Sequence, residues 1–353
     1  MKKVYINSVA SISAQKTFDN TQFLDEVCSY NETVLPVVSP NYKDYIPAAA
    51  ARRMAKGIKM GVVASKLALE EAKLKNVDAI ITGTGMGCVR DSEKFVSAII
   101  DNDEQYLTPT SFIQSTHNTV GGQIALGIGC KGYNFTYVHS SNSFESSLLD
   151  VKLMLQHDEA NSILVGGVDE LGTHTVKLHG VVNHVKSNIK NSLEVLSTKT
   201  EGAIFGEGAN FFVLENEKKT STYAEVVGVK MYNTLSNSIT NLAQQFLASH
   251  KLAIADIDLI ILGNNGDINF DDAYNELSEG VFATTQQAYY KHLCGEFNTA
   301  SSFGFWLASK TLKSQHLPKI TKLNTINDSS FNYVLLYNQY RGQNHSFTLL
   351  RKC

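Results

Sequence analysis

Two rhythms of apolar and polar positions run along this chain and keep replacing one another. Residues 2–12, KKVYINSVASI, read as a strand, and residues 52–74 place apolar side chains at helical spacing over a long helix. VDAIITGTGMG (77–87) is a buried strand running into a glycine-rich turn. SFIQSTHNTVGGQIALGIGC (111–130) predicts a turn followed by a small-residue helix. NFTYV (134–138) predicts a strand and 143–157 a helix. SILVGGVDEL (162–171), a strand ending in glycines, and GANFFVLENE (208–217), another strand, follow.

A second series begins near Tyr223. AEVVGVKMYN reads as a strand, ITNLAQQFLASHKL as a helix, IDLIILGNN as a strand and DAYNELSEGVF as a helix. After a polar turn come the helix FGFWLASKTLKSQ and a closing strand pair, FNYVLLYNQY and HSFTLLRK. Alternating strands and helices predict an α/β protein. The shared order of elements predicts an internal duplication, with halves 1–217 and 218–353 in one compact body.

Composition narrows the picture only a little. The 353 residues carry a net charge of −3 with 43% hydrophobic and 18% charged residues, enough to bury a sizeable core. Acids and bases are interspersed, which argues against a nucleic-acid partner; KK at 2–3 and at 218–219 reads as solvated turns. Cys28, Cys88, Cys130, Cys294 and Cys353 lie far apart with no metal-ligand spacing, so reduced thiols and no metal or cofactor are expected. No stretch approaches the ~20 apolar residues of a membrane helix. The first residues, MKKVYINSVASIS, alternate rather than forming a signal-peptide core, and a complete cytoplasmic chain is expected.

The order of motifs carries more. ITGTGMG, the QSTHNTVGGQIALGIGCKG segment, the strand–SSNS–helix turn, ILVGGVDE, FGEGANFFVLE, IDLIILGNNGD and KHLCGEFNTASSFGF follow one another in this sequence. This succession resembles the β-ketoacyl synthase family of condensing enzymes over roughly residues 50–345. ILVGGVDE and GEGANFFVLE are similar to the family's MVAGGAE and GEGAGVLVLE segments. The resemblance implies a thiolase-like fold, five-layered αβαβα, built from two similar halves, and a dimer.

In that family a cysteine sits at a strand-to-helix elbow, where the helix N-terminus favours a thiolate that takes an acyl group from a carrier protein. Two histidines and a lysine complete the site. Carried over, the resemblance puts Ser140 at the cysteine, with His139 or Ser141 in the neighbouring register. LGNN replaces an AHGT turn, putting Gly263 at the first histidine; KHLCGE replaces KSMTGH, keeping Lys291 and putting Glu296 at the second.

The replacements change the chemistry expected. A serine hydroxyl needs a positioned base, which Glu296 paired with Lys291 supplies in one reading: a serine-dependent acyltransferase or thioesterase on acyl carrier protein or coenzyme A thioesters. A carboxylate repels a developing enolate, which argues against condensation. The preferred reading is a chain-length-factor-like partner of an active ketosynthase, a heterodimer working with acyl carrier protein in fatty acid, polyketide or aryl-polyene-type biosynthesis. A noncatalytic acyl-binding homodimer is the third reading.

Several neighbours receive structural roles. Asn142 and Glu145 have capping-box spacing at the start of helix 143–157, and Phe144, Leu148, Val151 and Leu155 are expected in the core. His117 is expected to make a structural hydrogen bond, Cys294 to be a buried inert thiol, and GEGA (206–209) to be a close-packing turn.

Overall fold

The elements run β1 (Tyr5–Ile12), α1 (Ala48–Ala51), α2 (Lys56–Ala72), β2 (Ala79–Gly83), α3 (Val89–Asp101), α4 (Pro109–Ser115), α5 (Thr119–Ile128), β3 (Tyr133–Tyr137), α6 (Ser143–Gln156), β4 (Ser162–Asp169), α7 (Thr173–Val181) and β5 (Gly208–Glu215). Then come β6 (Ala224–Tyr232), α8 (Ile239–Ser249), β7 (Leu259–Leu262), α9 (Asp272–Asn275), β8 (Gln286–Tyr289), α10 (Lys291–Cys294), α11 (Ser301–Ser314), β9 (Tyr333–Tyr340) and β10 (Gln343–Arg351). This computed structural model describes residues 2–326 and 330–353; Met1, the start of the segment read for targeting, lies outside them. Among the described residues no helix is long and apolar enough to cross a membrane.

The strands lie in the order β3-β2-β4-β5-β1-β6-β10-β9-β7-β8. Read outward from the centre, β1-β5-β4-β2-β3 and β6-β10-β9-β7-β8 are the same topology twice. Each half has two parallel outer pairings, β2 with β3 and β4, and β7 with β8 and β9; the inner pairings are antiparallel. Within the sheet, β1 and β6 join the halves through the pairs Tyr5–Glu225 and Ile6–Ala224.

The layers follow from which faces are apolar. α6 and α11 pack against strands of both halves and bury Phe144, Leu148, Phe303, Phe305 and Trp306 in one central core. α2 and α5 cover the outer face of the first half, and α8 that of the second, each over its own core. The sequence is therefore α, β, α, β, α, as expected. Phe144, Leu148, Val151 and Leu155 are all buried, also as expected.

Some local expectations are corrected. The helix read over 52–74 starts at Lys56, because Ala48–Ala51 forms a separate turn, and it ends at Lys73 in a left-handed cap. Residues 109–115, read as turn from Ser111, are helical, with Pro109 at the first position where a missing N–H costs nothing. DAYNELSEGVF splits into α9 and a π turn, Glu276–Val281, broken at Gly280. Gly166 and Gly167 lie inside β4 rather than at its end. A Cβ on Gly167 would stand 2.7 Å from Thr299, so this glycine lets the α11 entry press onto the sheet.

One face stays apolar and open. β3 is the outermost strand of its half, and Lys131 is the only charged residue between Gln105 and Phe144. On α4, α5 and β3, Phe112, Ile113, Leu126, Tyr133 and Phe135 are exposed, Leu126 by 77%.

Candidate functional site

β3 turns into α6 through His139, Ser140 and Ser141. Of the three, only Ser140 has a left-handed backbone, with φ at 49°. That conformation is unfavourable for a residue with a Cβ and marks Ser140 as the apex of the elbow. Ser143 fastens the turn: its hydroxyl accepts the His139 N–H at 2.8 Å and lies 2.6 Å from the Ser140 carbonyl. Gly83, at the end of β2, makes room, since a Cβ there would sit 2.6 Å from the Ser143 carbonyl oxygen.

The expected capping box is not formed. Asn142 is the N-cap residue of α6 but caps nothing with its side chain, and Glu145 instead accepts a hydrogen bond from Ser346 Oγ at 3.1 Å. The competing partner on β10 takes the carboxylate inward. His139 is exposed and pairs through Nδ1 with Ser146 Oγ at 3.2 Å.

Ser140 Oγ is exposed and donates to Asn298 Oδ1 at 3.3 Å. An amide oxygen accepts that hydrogen bond but cannot take the proton away. Among the described residues no base is hydrogen-bonded to this hydroxyl.

The turn KHLCGE has the opposite character. α10 carries Lys291, fully buried, and Gly295 at φ 75° brings the chain back so that Glu296 faces it. Lys291 Nζ lies 2.7 Å from Glu296 Oε2, with the side chains 0% and 2% exposed. Asn265 Nδ2 donates to the same oxygen at 2.6 Å, its amide oriented by the Asp267 N–H bonded to Oδ1 at 3.0 Å. Lys291 and Glu296 are thus brought together as the sequence reading anticipated, but Ser140 is not hydrogen-bonded to either.

A Cβ on Gly263 would stand 2.3 Å from Asn338 Oδ1 and 3.0 Å from the Tyr274 hydroxyl, so a side chain there requires Asn338 to move. The side chain this loop sends to Glu296 is Asn265, two residues on. Counting along LGNN gives no signal for which residue turns inward; the contact itself does.

The surrounding frame is rigid. Asp169, at the end of β4, accepts from Gly85 N, Thr84 Oγ1, Thr299 N and Thr299 Oγ1 at 2.8–3.0 Å, clamping the GTG turn to the α11 entry. Glu207, from GEGA, pairs with Lys56, and a Cβ on Gly206 would lie 1.9 Å from the Cys294 carbonyl, so GEGA packs closely as expected but is the entry to β5 rather than a turn. Cys294 is fully buried and burial pushes its thiol up, which makes it inert. All five cysteines are free. His117 is exposed and makes no hydrogen bond among the described residues, correcting its expected role; it packs against Gly87.

A small cleft of about 50 Å³ opens between these parts, walled by Met86, Leu171, Phe205, Phe297 and Tyr340 with Glu296 and Asn298 at its polar side. His179 of α7 also lines it, its Nδ1 3.0 Å from His184 Nδ1. Burial, the second imidazole and Arg341 push His179 down, and burial with Arg341 does the same to His184. Neither histidine carried a sequence signal. No group of three or more metal-ligating side chains exists among the described residues.

Comparison with known proteins settles the family. The β-ketoacyl synthase N-terminal domain family matches residues 39–220. The chain belongs to the β-ketoacyl synthase family. This synthase-family chain is 23% identical over 202 residues to "3-oxoacyl-[acyl-carrier-protein] synthase 2" of Staphylococcus aureus (strain N315), covering 53% of this chain and 49% of the relative. It is 24% identical over 186 residues to "3-oxoacyl-[acyl-carrier-protein] synthase I, chloroplastic" of Arabidopsis thaliana, covering 49% and 39%. The chain spans about half the length of the curated relatives it matches. Its fold is similar to "The ishigamide ketosynthase/chain length factor", with TM-score 0.79 and 15% identity over 100% of this chain and 99% of the other. It is also similar to a ketosynthase in complex with its chain length factor from Xenorhabdus doucetiae, with TM-score 0.77 and 14% identity over 100% and 98%. At such identities the likeness shows the thiolase-like fold of the synthase family.

Proposed function

We propose that this synthase-family chain lacks condensing activity and serves as a chain-length-factor-like partner of a cysteine-bearing ketosynthase, in fatty acid, polyketide or aryl-polyene-type biosynthesis on acyl carrier protein. The observation that carries the reading is the filling of the catalytic frame. Ser140, at the elbow apex, bonds to a neutral amide, and Glu296 is tied to Lys291 and Asn265. A tethered carboxylate stabilises no enolate. We read Asn265, rather than Gly263, as the side chain at the first histidine's place, and 1–217 and 218–353 as the two halves.

The partner side of the proposal rests on the open apolar face. An outermost strand beside uncharged helices invites a second sheet edge. A ketosynthase with the same fold presents such an edge. Co-expression with an intact ketosynthase is expected to yield a heterodimer whose products change in length when this chain is omitted, and Leu126→Lys on the exposed face is expected to abolish the complex. A stable homodimer with no effect on the ketosynthase's products argues for the acyl-binding homodimer instead.

A second reading keeps Ser140 as a nucleophile in an acyltransferase or thioesterase, favoured by its strained elbow conformation. Intact-mass measurement with acyl thioesters decides it: an adduct lost in Ser140→Ala supports acylation, and no adduct removes it.

A further inference from the structure

Beneath the elbow, polar side chains of the two halves meet without closing their hydrogen bonds. Ser141 Oγ and both amide atoms of Asn142 are buried and have no protein partner. Asn142 and Glu145 are three residues apart at the start of α6 and share a helix face. Ser301, at the start of α11, acts on the Glu145 carboxyl, and Ser346 of β10 donates to its Oε1 at 3.1 Å. Buried polar groups are almost always paired, and a cluster that mixes donors with acceptors is what ordered water satisfies.

Charge counting adds a second constraint. The ionisable groups that interact with Glu145 include Lys291 and Tyr290, both buried. Lys291 is in direct contact with Glu296 at 2.7 Å. One buried cation does not neutralise two buried carboxylates, and the one without contact is left costly if charged.

We propose that Glu145 carries a proton in the folded protein, and that Asn142, Glu145 and Ser301 enclose ordered water in a neutral polar joint between the elbow helix and the C-terminal half. Burial pushes the Glu145 carboxyl up, against the pull of Ser301, its own N–H, Ser346 and Lys291. The joint takes water and not hydrocarbon, because an alkyl chain there would strip these groups of every partner. It stands whether or not Ser140 is ever acylated.

Infrared difference spectroscopy of the full chain at neutral pH, wild type minus Glu145→Gln, tests the proton. The expected result is loss of a protonated-carboxyl C=O band that moves in D2O; loss of carboxylate bands alone overturns it. Ser346→Ala keeps the carboxyl but removes a hydrogen bond, so it is expected to shift the same band and serves if Glu145→Gln does not fold. No shift there overturns the proton as well. A high-resolution crystal structure tests the water: density within hydrogen-bond reach of Asn142 and Glu145 is expected, and closed, dry packing overturns that half.

Discussion

The Ser140 elbow and the Glu296 turn both reach the same stretch of chain, yet opposite physics holds them. Ser140 is exposed, with a strained backbone and one side-chain hydrogen bond of 3.3 Å to a neutral amide. Glu296 is 2% exposed and receives charge-assisted bonds of 2.6 and 2.7 Å from Asn265 and Lys291. Hydrogen bonds to charged groups in a water-poor interior are expensive to break, whereas an exposed neutral one exchanges for water at little cost. In one frame, the apex where reaction would occur is loosely held, and the groups that would assist it are locked into structure.

The sharpest way to break that comparison is Lys291→Met. It leaves Glu296 as an unpaired buried carboxylate, and the expected cost is about 3–5 kcal/mol. A lowered urea midpoint with an unchanged slope checks it. The double variant Lys291→Met with Glu296→Leu is expected to recover much of the loss, since removing both charges also removes their desolvation. A single variant within ~1 kcal/mol of wild type would mean that water reaches the pair, and the contrast with Ser140 fails.

How much of this was legible beforehand depends on what each residue's environment asks of it. The strands with β-branched and aliphatic runs were readable because their burial is written in their composition, and the elbow was readable from a strand meeting a helix. β8 was not: it reads Gln-Gln-Ala-Tyr, all buried. Its glutamines survive burial because Gln286 donates to Asn324 and Gln287 to Ser278 and Phe282 carbonyls, partners supplied by tertiary structure. α3 was missed as well, although Phe95, Val96, Ile99 and Ile100 set an apolar face at helical spacing; the fold leaves that face largely uncovered and buries only Val89. Lys291 with Glu296 was legible only through the resemblance of KHLCGE to the family's KSMTGH, which placed both at the site. Asn265 was not, because a loop has no period from which to read the direction of a side chain.

A middle-sized effect tests the buried end from another side. His292 follows Lys291 on α10; it stacks on Tyr289 at 3.8 Å and its Nε2 lies 3.0 Å from the Ile320 carbonyl. Burial holds it down to about 3 from 6.5. Between those values the unfolded chain binds a proton that the folded chain refuses, so stability falls as pH falls, by up to about 1.4 kcal/mol per pH unit from this group. Urea titrations at successive pH values are expected to show a shallower acid limb in His292→Gln than in wild type. Parallel limbs would show that the turn around Lys291 opens to solvent before the imidazole is charged.

The smallest effect expected is at the elbow itself, and its sign is the informative part. Ser140→Gly removes a Cβ from a backbone at φ 49°, where an L-residue is strained by about 1–2 kcal/mol. Glycine's greater freedom in the unfolded chain offsets part of this, leaving a net gain of about 0.5–1 kcal/mol. Ser140→Ala keeps the strain and loses only the exposed bond to Asn298, so it is expected to change stability by less than about 0.5 kcal/mol. Thermal unfolding of the two variants side by side separates strain from hydrogen bonding. If glycine destabilises as much as alanine or more, the serine is being held by something the elbow needs, and the two ends of the site are alike after all. A gain with glycine alone would identify a conformation kept at a cost, at a position whose hydroxyl contributes almost nothing to holding the fold.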